Sequence, residues 1–350
     1  MSRLNCLSVM LTLAGIVSAT ISPSVRGCSR ILYETGTGSY IVGRSMDWND
    51  FNAKTSLWVF PQGLKRDGNA GNNSVKWTSK YGSLVASFYD AATVDGMNEK
   101  GLAGNVLYLA ESDYGDPAEI GKPTLSIGGW LQYLFDNYAT VKEVVDAMQD
   151  PPFAVVAPVL PNGRAASGHL SISDPTGDSA ILEYLDGKLV IHHGPQFTIM
   201  TNSPTYDQQL ALTAYWDQIG GKNMLPGTIS AADRFVRLSY NLKSSPNFKD
   251  RDIAIAAVMS QMRAIGVPLG MEDPDRPNIS STLWRSVIDH DANRYYFESA
   301  ILPAVFWVDL EKFDLKPGAK VLMLPIERGQ PYAGEVSAQF QAAEPFEWLK

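Results

Sequence analysis

Cys28-Ser-Arg-Ile-Leu-Tyr-Glu-Thr-Gly-Thr-Gly-Ser-Tyr-Ile-Val-Gly-Arg-Ser-Met-Asp-Trp48 is the stretch from which the fold is read. Residues 29–35 and 40–46 are rich in β-branched and aromatic types. They flank a Gly-Thr-Gly turn, which signals a hairpin. With the turn centred near Thr37, position i faces roughly position 75 − i, so Asp47 is expected opposite Cys28. Arg44 and Asp47 are three apart. Strict alternation therefore puts them on opposite faces, and a bulge near Ser45–Met46 would be needed for both to serve one site.

Upstream of the hairpin, the chain reads as an export signal. Met1-Ser-Arg3 is basic, Leu7–Val17 is apolar but too short to span a bilayer, and Val17-Ser-Ala19 offers a small-residue cleavage site. The expected organisation is a signal peptide over 1–19, a short propeptide over 20–27 and one catalytic domain over 28–350. That domain's 323 residues suffice for a large core. A periplasmic location follows from the signal, with no stable membrane anchor. Val25-Arg-Gly-Cys28 loosely matches a lipid-attachment site, but Arg26 and Pro23 fit it poorly. Of the two cysteines, Cys6 leaves with the signal. Cys28 is then the single mature thiol, either a small buried residue or a reactive group.

Charged residues at 19% and hydrophobic residues at 45% describe an ordinary folded protein. A net charge of −8 without a basic cluster argues against nucleic acid. Further strands are expected at Thr55–Phe60 and Val75–Thr78, with Lys65–Ser74 between them as a loop. Tyr81–Tyr89 and Leu102–Leu109 read as a strand pair joined through Asp95–Gly101. Ser126–Tyr138 and Thr140–Met148 read as helices, the second opened by a Thr140/Glu143 capping box. A meander over His169–His193 and a strand at Thr198–Asn202 precede helices at Tyr206–Gln218, Ala231–Leu242 and Asp252–Ala264. Strand pattern returns over Trp284–Asp309, and the C-terminal segment is poorly readable. Tight turns between strands require antiparallel pairs, so the fold class is α+β, with helices on antiparallel sheets.

Phosphate-loop, dinucleotide and Gly-x-Ser-x-Gly signatures are missing from the sequence. None of the four histidines has the spacing of a zinc site, so no metal is expected. His169 or His290 remains open as a base for Cys28. The simpler solution is an N-terminal cysteine whose own α-amine, with an ordinary pKa of about 7.7–8.0, takes the thiol proton. Asp47 could hold that amine; without the processing argument it reads as a solvent-facing strand end.

Four motifs in order carry a resemblance: Cys28 with Gly43-Arg-Ser-Met-Asp-Trp48, Asp95-Gly-Met-Asn-Glu-Lys-Gly-Leu102, Met200-Thr-Asn-Ser-Pro-Thr-Tyr-Asp207 and Ala232-Asp-Arg-Phe-Val-Arg237. Together the chain resembles the choloylglycine hydrolase family, which contains penicillin V acylases and conjugated bile salt hydrolases. The resemblance implies an N-terminal nucleophile (Ntn) hydrolase with no cofactor, built as a four-layer αββα sandwich of two antiparallel sheets flanked by helices. It implies hydrolysis of a small-molecule acyl amide through a thioester, and a homotetramer. By position it makes Cys28 nucleophile and base, with Asp47 on its amine. Arg44 and Arg234 would favour thiolate, and Asn202 would donate to the oxyanion with a backbone N–H around Tyr108. Without the resemblance, Arg234 reads as solvated, Asn202 as a turn cap and Trp48 as core. Trp48, Tyr108 and Tyr114 are the expected substrate contacts. The aromatic Tyr108, the 32 positions between Asn202 and Arg234, and Trp48 resemble the Gram-negative penicillin V acylase branch. That branch also implies N-acyl homoserine lactone cleavage. The alternatives are a bile salt hydrolase and an exported, non-catalytic acyl-ligand-binding protein.

Overall fold

The hairpin that opens the chain is the centre of a sheet. In the computed structural model, Ser29–Glu34 and Tyr40–Trp48 pair antiparallel around a Thr35–Ser39 turn. The structure describes residues 27–161, 163–221, 223–271, 280–302, 304–327 and 331–350. The expected signal peptide, and all of the propeptide except Gly27, lie outside the described residues.

Among the described residues, the first sheet has seven strands in the order Ile199–Met200, Ser29–Glu34, Tyr40–Trp48, Ser281–Asp289, Arg294–Ser299, Val305–Asp309 and Gly334–Glu335. All neighbours are antiparallel except the last pair. The second sheet has nine strands. It runs from Lys188–His193 through Ser179–Leu185, His169–Ser173, Ala103–Leu107, Ala92–Asn98, Ser83–Phe88, Ser56–Phe60 and Leu322–Pro325 to Gln341–Ala342.

One apolar core joins the facing sides of the two sheets, including Leu32, Leu57, Met97, Ile288 and Phe297. A second core lies between the nine-stranded sheet and helices Ile127–Asn137 and Val141–Met148, built on Trp130, Leu134, Val144 and Leu170. Helices Ala231–Ser244 and Arg251–Ala264 cover the outer side of the seven-stranded sheet. The layers are helix, sheet, sheet, helix, and the expected αββα order holds. Each sheet hides both faces, which explains why strands such as Ser83–Phe88 are buried throughout.

The structure departs from the sequence reading at particular strands. Ala92–Asn98 is a strand, so Ser83–Phe88 and Ala103–Leu107 each pair with it and not with each other. Gly96 at φ 145° and a polar Asp-Gly-Met-Asn composition hide its strand character. Lys65–Asp67 begins the expected loop as a strand against Lys76–Thr78. Ile199–Met200 joins the first sheet beside Ser29–Glu34, not the meander. The hairpin register pairs Ser29 with Ser45 and Arg30 with Arg44. Carried back along the strand, it sets Met46 against Cys28 and Asp47 against Gly27, one residue from the expected pairing. The register irregularity lies in the facing strand, between Thr282 and Trp284, not near Ser45–Met46.

Candidate active site

Cys28 sits at the start of the first strand, where side chains from both faces of the sheet can reach it. On the inner face, Arg44 crosses toward the second sheet. Its Nη2 donates to the Val106 carbonyl at 3.2 Å and lies 4.0 Å from Cys28 Sγ. Nη1 is 3.5 Å from Asp95 Oδ2, both groups fully buried, and the guanidinium lies over the Trp284 ring. Asp95 is held in turn by donors from Asn105 (2.9 Å), Ser286 (3.2 Å) and Tyr295 (2.8 Å). Met46 Sδ lies 3.9 Å from the thiol.

On the outer face, Asn202 and Arg234 hold the backbone of Cys28. Cys28 N–H donates to Asn202 Oδ1 at 2.5 Å, and Arg234 Nη1 donates to the Cys28 carbonyl at 2.6 Å. Arg234 also bonds Ser29 Oγ, and its Nη2 donates to Asn202 Oδ1 at 3.1 Å. With both donors on Oδ1, the amide orientation of Asn202 is fixed, and its Nδ2 donates to the Tyr108 carbonyl at 2.6 Å. Asp47 is fully buried. Thr282 donates to its Oδ1 at 2.7 Å, and Arg234 Nη1 lies 3.9 Å from Oδ2. Oδ2 itself accepts no hydrogen bond from the described residues.

Arg44 and Asp47 therefore obey alternation and still share one site. The thiol looks inward to Arg44, while the main chain at Cys28 looks outward to Asp47's side. Burial pushes the Cys28 thiol up, opposed chiefly by Arg44 and, more weakly, by Arg234. The expected bias toward thiolate is outweighed here because desolvation disfavours the charged form. Burial also raises the Asp47 carboxyl, opposed first by Arg234.

The thiol opens into a pocket walled by Met46, Trp48, Phe88, Val94, Tyr108 and Leu160. Trp48 packs edge-on to Phe88 at 5.2 Å, and its Nε1 donates to the Tyr89 hydroxyl. Tyr114 does not join this pocket. It is buried, its hydroxyl donates to the Gly168 carbonyl, and it lines a neighbouring groove that shares Tyr108. His169 and His290 do not serve Cys28 either. His169 bonds Glu183 and Thr201; His290 bonds Ser173 and Gly101. Among the described residues, no group of acids, histidines and cysteines could hold a metal ion.

A family model described as "Linear amide C-N hydrolases, choloylglycine hydrolase family" matches residues 28–323. The chain belongs to the choloylglycine hydrolase family. It is 48% identical to a penicillin V acylase of Pectobacterium atrosepticum, over 95% of each chain. The structure of a penicillin V acylase from Agrobacterium tumefaciens superimposes with a TM-score of 0.85 at 50% identity, covering 92% of this chain and 99% of that one. A conjugated bile acid hydrolase of Clostridium perfringens, crystallised in mutant form, shares the fold at 22% identity and TM-score 0.72. The match spans 87% of this chain and 98% of that one. The fold is thus that of the Ntn hydrolases, and family members cleave linear amide C–N bonds.

The structure brings Cys28, Arg44, Asp47, Asn202 and Arg234 together. Thr282, Ser286 and Tyr295 were missed, because they reach the site from strands more than 230 residues downstream. Asp95 stood in a quoted motif, yet only the buried Arg44 contact gives it a job.

Proposed function

We propose that the protein is a penicillin V acylase-type amidohydrolase whose nucleophile is Cys28, freed as an N-terminus by cutting the Gly27–Cys28 bond. One observation carries this reading: Asp47 Oδ2 is buried without a hydrogen-bond donor among the described residues, against the residue that would leave. A Cβ on Gly27 would stand 2.8 Å from that oxygen. An α-ammonium formed at Cys28 would supply the missing donor, and a buried carboxylate oxygen without one is costly. The family match, which begins at residue 28, supports the same start.

The chemistry then runs as acyl transfer. The α-amine takes the thiol proton, and Sγ bonds to the amide carbonyl carbon. The oxyanion forms, the ammonium returns its proton to the leaving nitrogen, and the C–N bond breaks to leave a thioester. Water, deprotonated by the same amine, attacks the thioester and releases the acid and the thiol. Asn202 supports the oxyanion role, because its amide carries two protons and only one is used on Tyr108.

The aromatic pocket walls favour a phenoxyacetyl group or an acyl chain as the acyl part. The penicillin V acylases at 48% and 50% identity support the first. Long-chain N-acyl homoserine lactones follow from the second, and an exported, periplasmic enzyme would meet such signals. The tetramer belongs to the same reading. Helix Tyr206–Ile219 leaves Leu212, Tyr215 and Ile219 at 40%, 58% and 40% exposure on one stripe, the kind of face a second copy covers. A sedimentation mass of one chain would remove this assignment.

Intact mass together with a substrate panel tests the proposal. The purified protein is expected to start at Cys28 and to cleave penicillin V and a long-chain acyl homoserine lactone faster than glycocholate. A mature chain starting at Thr20 would overturn the nucleophile assignment and favour the ligand-binding alternative. Faster cleavage of glycocholate would favour the bile salt hydrolase. Gly27→Val is expected to slow the appearance of the mature chain at least about tenfold, because the new side chain meets Asp47 and Arg234 in a close-fitting seat. Pulse-chase gels read the effect, and normal processing of this variant would contradict the role given to the seat.

A further inference from the structure

His169 is a buried histidine that the chemistry above leaves unused. It stands at the head of strand His169–Ser173, with no exposed surface. Its Nδ1 lies 2.8 Å from Glu183 Oε1 on the adjacent strand, and its Nε2 lies 2.7 Å from the carbonyl of Thr201. Thr201 is the residue before Asn202.

Both partners are acceptors, whereas a neutral imidazole carries one N–H. Satisfying both therefore takes a second proton in the pair. Glu183 also accepts from Tyr206 N–H, at 3.2 Å on Oε1 and 3.1 Å on Oε2. Tyr206 opens helix Tyr206–Ile219, and a helix N-terminus favours a carboxylate over a carboxylic acid. The second proton accordingly belongs on Nδ1. On the other side of the same turn, Gln209 of that helix donates Nε2–H to the Asn202 carbonyl and, at 2.6 Å, to the Pro204 carbonyl. Its Oε1 accepts from the Thr201 hydroxyl at 2.7 Å.

From this geometry we infer that His169 and Glu183 are positioning residues for Asn202. They anchor the Thr201 carbonyl to the nine-stranded sheet and seat the helix that supplies Gln209, so that the peptide carrying the Asn202 side chain cannot turn away from Cys28. The inference rests on the proposed oxyanion role of Asn202.

The experiment uses the full-length protein, with penicillin V as substrate and 15N-histidine NMR as a second readout. Glu183→Gln should keep kcat within about threefold, because its amide N–H can bond Nδ1 while Nε2–H still meets Thr201. His169→Phe breaks the anchor and should lower kcat about 30- to 100-fold with KM within about twofold, the scale of a slightly misplaced catalytic group. Comparing the two spectra identifies the His169 ring. In the unsubstituted protein both of its nitrogens should carry hydrogen, whereas Glu183→Gln should leave one bare. A His169→Phe protein with unchanged kcat would overturn the inference. So would a spectrum in which the His169 Nε2 facing Thr201 carries no hydrogen, which decides the matter even if His169→Phe does not fold. Should the unsubstituted protein cleave none of the amides offered, the functional reading fails, and the spectrum still reports on the anchor.

Discussion

Cys28→Ala is expected to lower kcat/KM for penicillin V on the order of 10⁶-fold, the loss seen when an acyl-transfer enzyme is deprived of its attacking atom. Sγ is the atom that would form the thioester, and it faces the apolar pocket with Arg44 4.0 Å away. The substitution removes one buried sulfur and leaves the backbone partners of residue 28 in place. Asn202 still accepts from the residue 28 N–H, and Arg234 still donates to its carbonyl. Stability should therefore fall by no more than about 1–2 kcal/mol, at the low end for buried truncations. Calorimetry beside initial-rate assays separates the two effects. Retention of more than a trace of activity would move the chemistry away from this thiol.

Asp95→Asn should cost more in stability than any other near-isosteric change in the site. Arg44 and Asp95 are both fully buried, and among the described residues the guanidinium has no other carboxylate within ion-pair distance. Burial raises the Asp95 carboxyl, with Arg44 the first opposing influence, followed by the donors Tyr295, Asn105 and Ser286. Exchanging the carboxylate for an amide leaves the Arg44 cation in the core without its counter-charge. Breaking a buried pair this way costs about 3–5 kcal/mol. In a chain of this size that is a fall in Tm on the order of 10 °C. An amide also offers N–H groups to a site that already supplies donors from three residues, which adds repulsion. A released Arg44 would no longer be held beside the thiol, so kcat should fall about tenfold or more. An Asp95→Asn protein with unchanged Tm would show that Arg44 is neutralised by another route.

The two sheets were legible where residue type alone sets the strand. Val, Ile and Tyr around a Gly-Thr-Gly turn fix the Ser29–Trp48 hairpin, whatever lies beside it. The strand Ala92–Asn98 was not legible, because Asp95 and Asn98 are stabilised in it by partners on other elements: Arg44, Tyr295, and the carbonyls of Phe135 and Tyr138. Short C-terminal strands such as Gly334–Glu335 exist only as additions to sheet edges already built. Within the site, one residue of register separated the expected partner of Asp47 from the observed one. The expectation for Tyr114 failed for a related reason. An aromatic residue near a motif can face either of two adjoining hollows, and its bond to Gly168 decides which.

The hydrogen bond from Asn202 Nδ2 to the Tyr108 carbonyl ties the pocket wall to the proposed oxyanion donor. This has a bearing on how acyl preference can diverge among relatives. A substitution that shifts the main chain at 108 to admit a larger acid drags the amide of Asn202 with it, so selectivity gained there carries a loss of turnover. Phe88 and Leu160 line the same pocket without a hydrogen bond to Asn202. Variation in chain-length preference, natural or engineered, therefore has a mechanically uncoupled end at Phe88 and Leu160 and a coupled end at Tyr108. Lineages that retain high turnover should differ mainly at the first.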